Sequence, residues 1–207
     1  MPVIGGLQSA TFEIGKYFRY RDWNVKVITN RYPRNLTSYE SIDGLDIKRY
    51  AFLTDPMKYI NAGRVDLFIS WFFYKPVTLT KLIIDFIRFK PKVVNLHFPD
   101  HQLFECYLLM HLFHFKLVIS LHGDEVVRMQ RLKKSSMKYH FYNYLFKPAI
   151  YITGCSQHLI DQLHKSFPHL NKNKCITVHN GVNKKFVSEQ LCIDKNDYIF
   201  TATRFVP

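Results

Sequence analysis

The chain has 207 residues, of which 47% are hydrophobic, 16% aromatic and 22% charged. That composition builds a core and excludes a disordered chain, and the length suits one domain or one domain plus a fragment. Lys and Arg outnumber Asp and Glu by 29 to 16, a net charge of +13 that favours anionic surfaces.

No apolar run approaches the ~18 residues of a membrane span, and the N-terminus lacks the pattern of a signal peptide. Cys106, Cys155, Cys175 and Cys192 form no C-x-x-C pair and read as reduced thiols in a cytosolic protein.

The glycine pair Gly5-Gly6 leads into a helix expected over residues 11–21. Strands are expected at 25–29 and, more weakly, at 45–50. Pro76 is expected to open a helix, because proline suits a first turn. Its apolar positions Leu79, Leu82, Ile83, Phe86 and Ile87 share one face, and Lys90-Pro91 ends it. A strand at 93–97, an apolar helix at 103–115 and a strand at 117–121 follow. The last is a continuous apolar run suited to burial on both faces. A basic, aromatic helix is expected from about 127 to 146, stopping before Pro148. A strand at 150–153, a helix capped by Ser156 and running through Lys165, and a short strand at 175–178 complete the pattern. Repeated strand–helix–strand order predicts a Rossmann-like, doubly wound parallel sheet with helices on both faces.

The ends break this pattern. A doubly wound domain starts with a strand before its glycine loop, and here that strand is missing. A fresh strand at 198–203 stops four residues before the end, at Pro207. Truncation at both ends is therefore expected. The domains are read as 1–182, lacking its first strand, and 183–207, a linker plus the first strand of a second domain.

Polar groups gather where strands end. His122-Gly123-Asp124-Glu125 follows one strand and His97-Phe98-Pro99-Asp100-His101 follows another. Ligands of open α/β sheets bind at such ends. An imidazole there can hold a hydroxyl or a phosphate, and a carboxylate can accept a hydroxyl proton. A helix-capping turn is the plain alternative. His97 and His101 have a metal-like spacing, but Pro99 breaks the helix it needs, so no metal site is expected. His111 and His114 read as partly buried packing residues. Asn180-Gly181-Val182-Asn183 is a turn signal after a strand. The sequence has no P-loop, G-x-S-x-G elbow or H-E-x-x-H. Arg131, Lys133, Lys134 and Lys138 beside Tyr139, Tyr142 and Phe146 suit an anionic membrane surface, or a solvated face over buried aromatics.

Several pieces in this order resemble the N-terminal half of glycosyltransferase family 4, the retaining enzymes of GT-B fold. They are residues 2–6, 93–99, 119–124, 152–156, 176–182 and 202–207. The resemblance implies an acceptor-side domain facing a donor-side domain across a cleft. It implies sugar transfer from a nucleotide-sugar donor to a saccharide or lipid-linked acceptor in cell-surface polysaccharide or lipopolysaccharide synthesis. By the same resemblance Gly5 and Gly6 form a cleft-facing glycine loop, and His97 also lines the cleft. His122 and Asp124 lie near the transferred sugar, Asn180, Gly181 and Val182 form the hinge, and Arg204 meets the donor diphosphate.

No metal or other cofactor is implied, and the implied location is cytoplasmic, on the inner face of the plasma membrane. Asn183 departs from the aspartate usual in the family, and the lysine and paired glutamates of the donor site do not occur in this sequence. The chain alone is therefore expected to be inactive. The competing readings are a non-catalytic acceptor-binding or partner subunit, the remnant of an interrupted gene, and, least favoured, a basic nucleic-acid-binding module.

Overall fold

The computed structural model describes residues 6–33, 35–53 and 56–181. Gly5, Val182, Asn183, Cys192, Arg204, the strand expected at 198–203 and the 183–207 unit lie outside them.

Helix α1 spans Gly6–Tyr20, earlier than expected, and strand β1 spans Lys26–Asn30. A hairpin of β2 (Tyr39–Ile42) and β3 (Leu45–Tyr50) follows. Its Asp43-Gly44 turn holds φ of 50° and 76°, the pair of left-handed residues that a two-residue hairpin turn needs. β1 and β2 flank β3, the first parallel and the second antiparallel to it. Helix α2 (Pro56–Asn61) is a single short segment.

Helix α3 runs unbroken over Val65–Phe89, so Pro76 lies inside it and does not open it. The expected start was misplaced because the apolar run before Pro76 has no clear period. Asp66 in the first turn, paired with Arg64 at 2.8 Å, marks the true N-terminal end. Lys75, Thr78, Leu82, Asp85 and Phe86 form its buried stripe. Lys90 ends it in the left-handed conformation, its N–H donating to the Phe86 carbonyl at 2.8 Å. α3 is also the one helix among the described residues long and apolar enough to cross a membrane by length and composition. Dividing it at Pro76 hid that length.

Strand β4 (Val93–His97), helix α4 (Leu103–Leu112) and strand β5 (Lys116–Leu121) come next. The single basic helix expected after β5 is two helices, α5 (Asp124–Gln130) and α6 (Met137–Phe146). Ser136 starts the second, accepting the Tyr139 N–H at 3.3 Å. Strand β6 (Tyr151–Gly154), helix α7 (Gln157–Ser166) and strand β7 (Cys175–Thr177) complete the fold. Ser156 caps α7 as expected, accepting the Leu159 N–H at 3.3 Å.

β4, β5, β6 and β7 form a parallel sheet in that order. This is the mixed α/β architecture with a helix-flanked parallel sheet that the sequence pattern predicted. β5 is central, and Leu117, Ile119 and Leu121 are at most 1% exposed. Ile152 joins them against Tyr142, Leu145, Phe146, Leu163 and Phe167. Each fully buried side chain of this size stabilises the fold by roughly 1.5–3 kcal/mol before chain entropy is counted. A Cβ at Gly154 would sit 2.8 Å from Ile160 Cδ1, so the buried Ile160 side chain would have to shift to admit it. A second cluster, Tyr50, Leu82, Phe86 and Leu109, fastens α3 and α4 to the first sheet. Two buried ion pairs hold α3 as well. Lys75 meets Glu105 at 2.5 Å, while Asp85 accepts from Lys48 and Tyr50.

Candidate functional site

The parallel register pairs His97 with Ser120 at the carboxyl ends of β4 and β5. Two residues past Ser120, the chain turns and brings His122 back to His97. His97 Nδ1 lies 3.0 Å from His122 Nε2, and the rings stack at 5.3 Å between centroids. One ring donates and the other accepts, so His97 Nε2 and His122 Nδ1 are the nitrogens outside the pair. Burial, then the neighbouring His122, pushes the His97 imidazole down to about 4. Burial also lowers His122. Both rings are therefore neutral near pH 7.

The turns around the pair are fixed by backbone bonds. Glu125 accepts the N–H groups of His122 and Gly123, the second at 3.1 Å. Burial raises the Glu125 carboxyl above its usual range, although those bonds and its own backbone bond pull the other way. Gly123 holds φ at 138°, which excludes a side chain of ordinary preference. On the other strand, Phe98 has φ of 49°. Its N–H donates to the Ser120 carbonyl at 3.1 Å, and Gln102 Nε2 donates to the carbonyls of His97 and Phe98 at 3.1 and 3.0 Å. Such a strained non-glycine residue persists only because these bonds over-determine it. Beneath the pair, Thr153 donates to Ser120 Oγ at 3.1 Å, and Ser120 donates to Asn95 Oδ1 at 2.9 Å.

A charged cluster sits beside the pair. Asp100 accepts from Arg128 at 2.9 Å and from Lys138, and the Arg128 guanidinium lies 5.5 Å above the Phe98 ring. Burial pushes the Asp100 carboxyl up, but the Lys138 bond and the charges of Lys138, His101 and Arg128 outweigh it and hold it low. Tyr142 donates to the Pro99 carbonyl at 2.7 Å.

The expected site residues therefore divide. His97 and His122 come into contact, a proximity the sequence suggested only by placing both at strand ends. Asp124 is exposed at the start of α5, and the carboxylate buried against the histidine turn is Glu125. Its place in the first turn of a helix was the available signal. Gly6 opens α1, and Asn180 and Gly181 are exposed beyond β7. Lys138 is bonded to Asp100 and does not stand with Arg131, Lys133 and Lys134 on one free basic face. Those three occupy the turn between α5 and α6. His111 and His114 are exposed where packing was expected. His111 stacks on Tyr144 and lies 2.8 Å from its hydroxyl. Burial, then Glu105, pushes the Cys106 thiol up to about 12. Among the described residues no three His, Cys, Asp or Glu side chains converge as a metal site would require.

The fold and the placement of the pair define an open α/β domain that presents its polar groups at the carboxyl ends of parallel strands. No curated protein matches the chain at a significant level. The family model of glycosyltransferase family 4 matches residues 4–186, and the chain belongs to that family.

Proposed function

We propose that this domain is the acceptor side of a retaining glycosyltransferase, in which His97 and His122 hold hydroxyls of the reacting sugars. The observation that carries this reading is the neutral imidazole pair at the strand ends. Neutral rings offer both a donor and an acceptor to a hydroxyl without a competing full charge. Glu125 positions His122 through the backbone, and Asp124 at the start of α5 is poised to accept a hydroxyl proton. Gly5 and Gly6 line the cleft, with Gly6 at the start of α1, Asn180, Gly181 and Val182 serve as the hinge, and Arg204 supplies the charge for a donor diphosphate. Guanidinium suits that role because its planar fork is permanently charged. Neither a metal nor another cofactor enters this scheme.

The acceptor is a saccharide or a lipid-linked glycan of cell-surface polysaccharide synthesis, handled at the cytoplasmic leaflet. The surface that supports a membrane location best is on α3. Val65, Ile69, Phe72, Phe73, Val77 and Ile84 are 41–71% exposed and recur along one side of that helix. Lys81 and Arg88 stand exposed on the same helix. An apolar stripe with basic neighbours suits an anionic lipid surface. The buried ties of Lys75 and Asp85 favour a helix lying on the leaflet over one crossing it. Arg131, Lys133 and Lys134 add a second basic contact.

The test is a radiolabelled transfer assay on the purified 207-residue chain with a panel of nucleotide sugars and saccharide acceptors, alongside acceptor binding by NMR. The expected result is acceptor binding without transfer. Transfer by this chain alone, or no saccharide perturbing His97 and His122, contradicts the proposal.

A further inference from the structure

We infer that Arg128 forms an oxyanion subsite beside the histidine pair, so that the acceptor carries a carboxylate or a phosphate near its reacting hydroxyl. This rests on the proposed role of His97 and His122 in holding that hydroxyl. An exposed ion pair ordinarily orders neither side chain, because entropy and solvent screening oppose it. Arg128 is 55% exposed and still has a defined plane. Its Nη1 donates to Asp100 Oδ2 at 2.9 Å, and its guanidinium carbon lies 5.5 Å from the centre of the Phe98 ring.

The clamp is fixed to the same backbone that carries the imidazoles. Phe98 follows His97 directly, with its N–H donating to the Ser120 carbonyl and its carbonyl accepting from Gln102. Asp100 stands two residues further on and is 8% exposed. On the other strand, α5 starts two residues after His122, and Arg128 lies one turn beyond Asp124 on the same helix face. Each histidine loop thus supplies one half of the clamp.

The cluster carries surplus positive charge. One carboxylate, Asp100, faces two permanent cations, Arg128 and Lys138, and His101 Nε2 stands 3.8 Å from it. Among the described residues no second carboxylate pairs with either cation. Lys138 already balances Asp100, so the Arg128 charge is left for a ligand. The imidazoles alongside are neutral near pH 7 and add no charge of their own. Asp100 uses Nη1 alone, and among the described residues Nε and Nη2 have no partner. Those two nitrogens form one edge of the guanidinium, suited to two parallel bonds. A carboxylate or a phosphate has two oxygens for that edge, whereas a hydroxyl has one.

The probes are methyl glucoside, methyl glucuronide and glucose 6-phosphate, titrated into the full chain at pH 7 and constant ionic strength. NMR signals of the Arg128 Nε–H and of the His97 and His122 rings give each dissociation constant. At least one anionic sugar should bind about tenfold or more tighter than the neutral one and move all three signals. Preference for the glucuronide assigns a carboxylate to the acceptor, and preference for glucose 6-phosphate assigns a phosphate. In Arg128→Gln the three sugars should bind alike. Arg128→Lys keeps a cation for Asp100 and should still lose most of the preference, because an ammonium lacks the fork. Lys165→Gln removes one exposed charge from α7 and should keep the preference, which separates the subsite from general attraction to a basic chain. Equal affinities in the native chain overturn the inference, while histidine shifts with the neutral sugar leave the proposed role of the histidines standing. A preference that survives Arg128→Gln, or one that is lost equally in Lys165→Gln, also overturns it. No histidine shift with any sugar overturns the role of the histidines and this subsite together.

Discussion

The histidine pair has a measurable effect on stability. In the folded protein His97 is held at about 4, against an ordinary 6.5. Its neutral form is thus favoured by folding, and the unfolded chain binds a proton that the native state refuses. The stability it contributes is complete above pH 6.5 and is lost as pH falls from 6.5 toward about 4. At about 1.4 kcal/mol per pH unit, that interval corresponds to about 3.5 kcal/mol at most. His122 adds to it with the same sign. Glu125 opposes it, because a carboxyl raised in the native state binds its proton before the unfolded chain does. Asp85 and Asp100 are held low and lose their contribution only below the usual carboxylate range, outside this interval. His97→Asn removes the titrating ring and keeps an amide N–H near the position of Nδ1. Urea unfolding of both proteins, followed by fluorescence from pH 8 to pH 4.5, should show a steeper loss in the wild type. Parallel pH profiles for the two proteins would mean that His97 does not titrate differently in the folded and unfolded states.

Other perturbations have equally defined outcomes. Lys75→Ala should cost about 3–5 kcal/mol in urea unfolding, because Glu105 is then a buried charge without its partner. The double variant Lys75→Met, Glu105→Leu should recover most of that loss. Glu125→Ala should cost about 1–3 kcal/mol and broaden the His122 ring signals, since two backbone N–H groups lose their acceptor. Gly154→Ala should lower stability by about 1–3 kcal/mol, and Ile160→Val in the same chain should relieve part of it. Phe72→Ser with Phe73→Ser should weaken sedimentation with anionic vesicles by tenfold or more, because each exposed ring contributes about 1.5 kcal/mol or more when buried in lipid.

The parallel sheet was legible because β4, β5 and β6 are compact apolar runs bounded by turn residues, and Ser156 announces α7. The same reading failed where one residue type has two uses. Pro76 reads as a first-turn residue, yet the apolar run before it is already helical and Thr78 ties the next turn to the Ala51 carbonyl at 3.2 Å. Ser136 was an available N-cap signal, and overlooking it merged α5 with α6. Asp43-Gly44 was an available hairpin signal for β2. The contact between His97 and His122 was only half legible. Their positions at strand ends are local facts, whereas their approach depends on the β4–β5 register and the Gly123 turn. Glu125 stands in the polar turn the sequence singles out, but its role there is a backbone bond, which no motif of side chains records.

In the proposed function, two neutral, mutually bonded imidazoles meet the sugar. Histidine ¹⁵N NMR at pH 7, with and without a saccharide acceptor, tests it most directly. His97 and His122 should both show neutral rings coupled to one another, and saccharide should move their signals while those of exposed His111 and His158 stay in place. Imidazolium signals for either residue at pH 7, or saccharide shifts confined to other histidines, would contradict it.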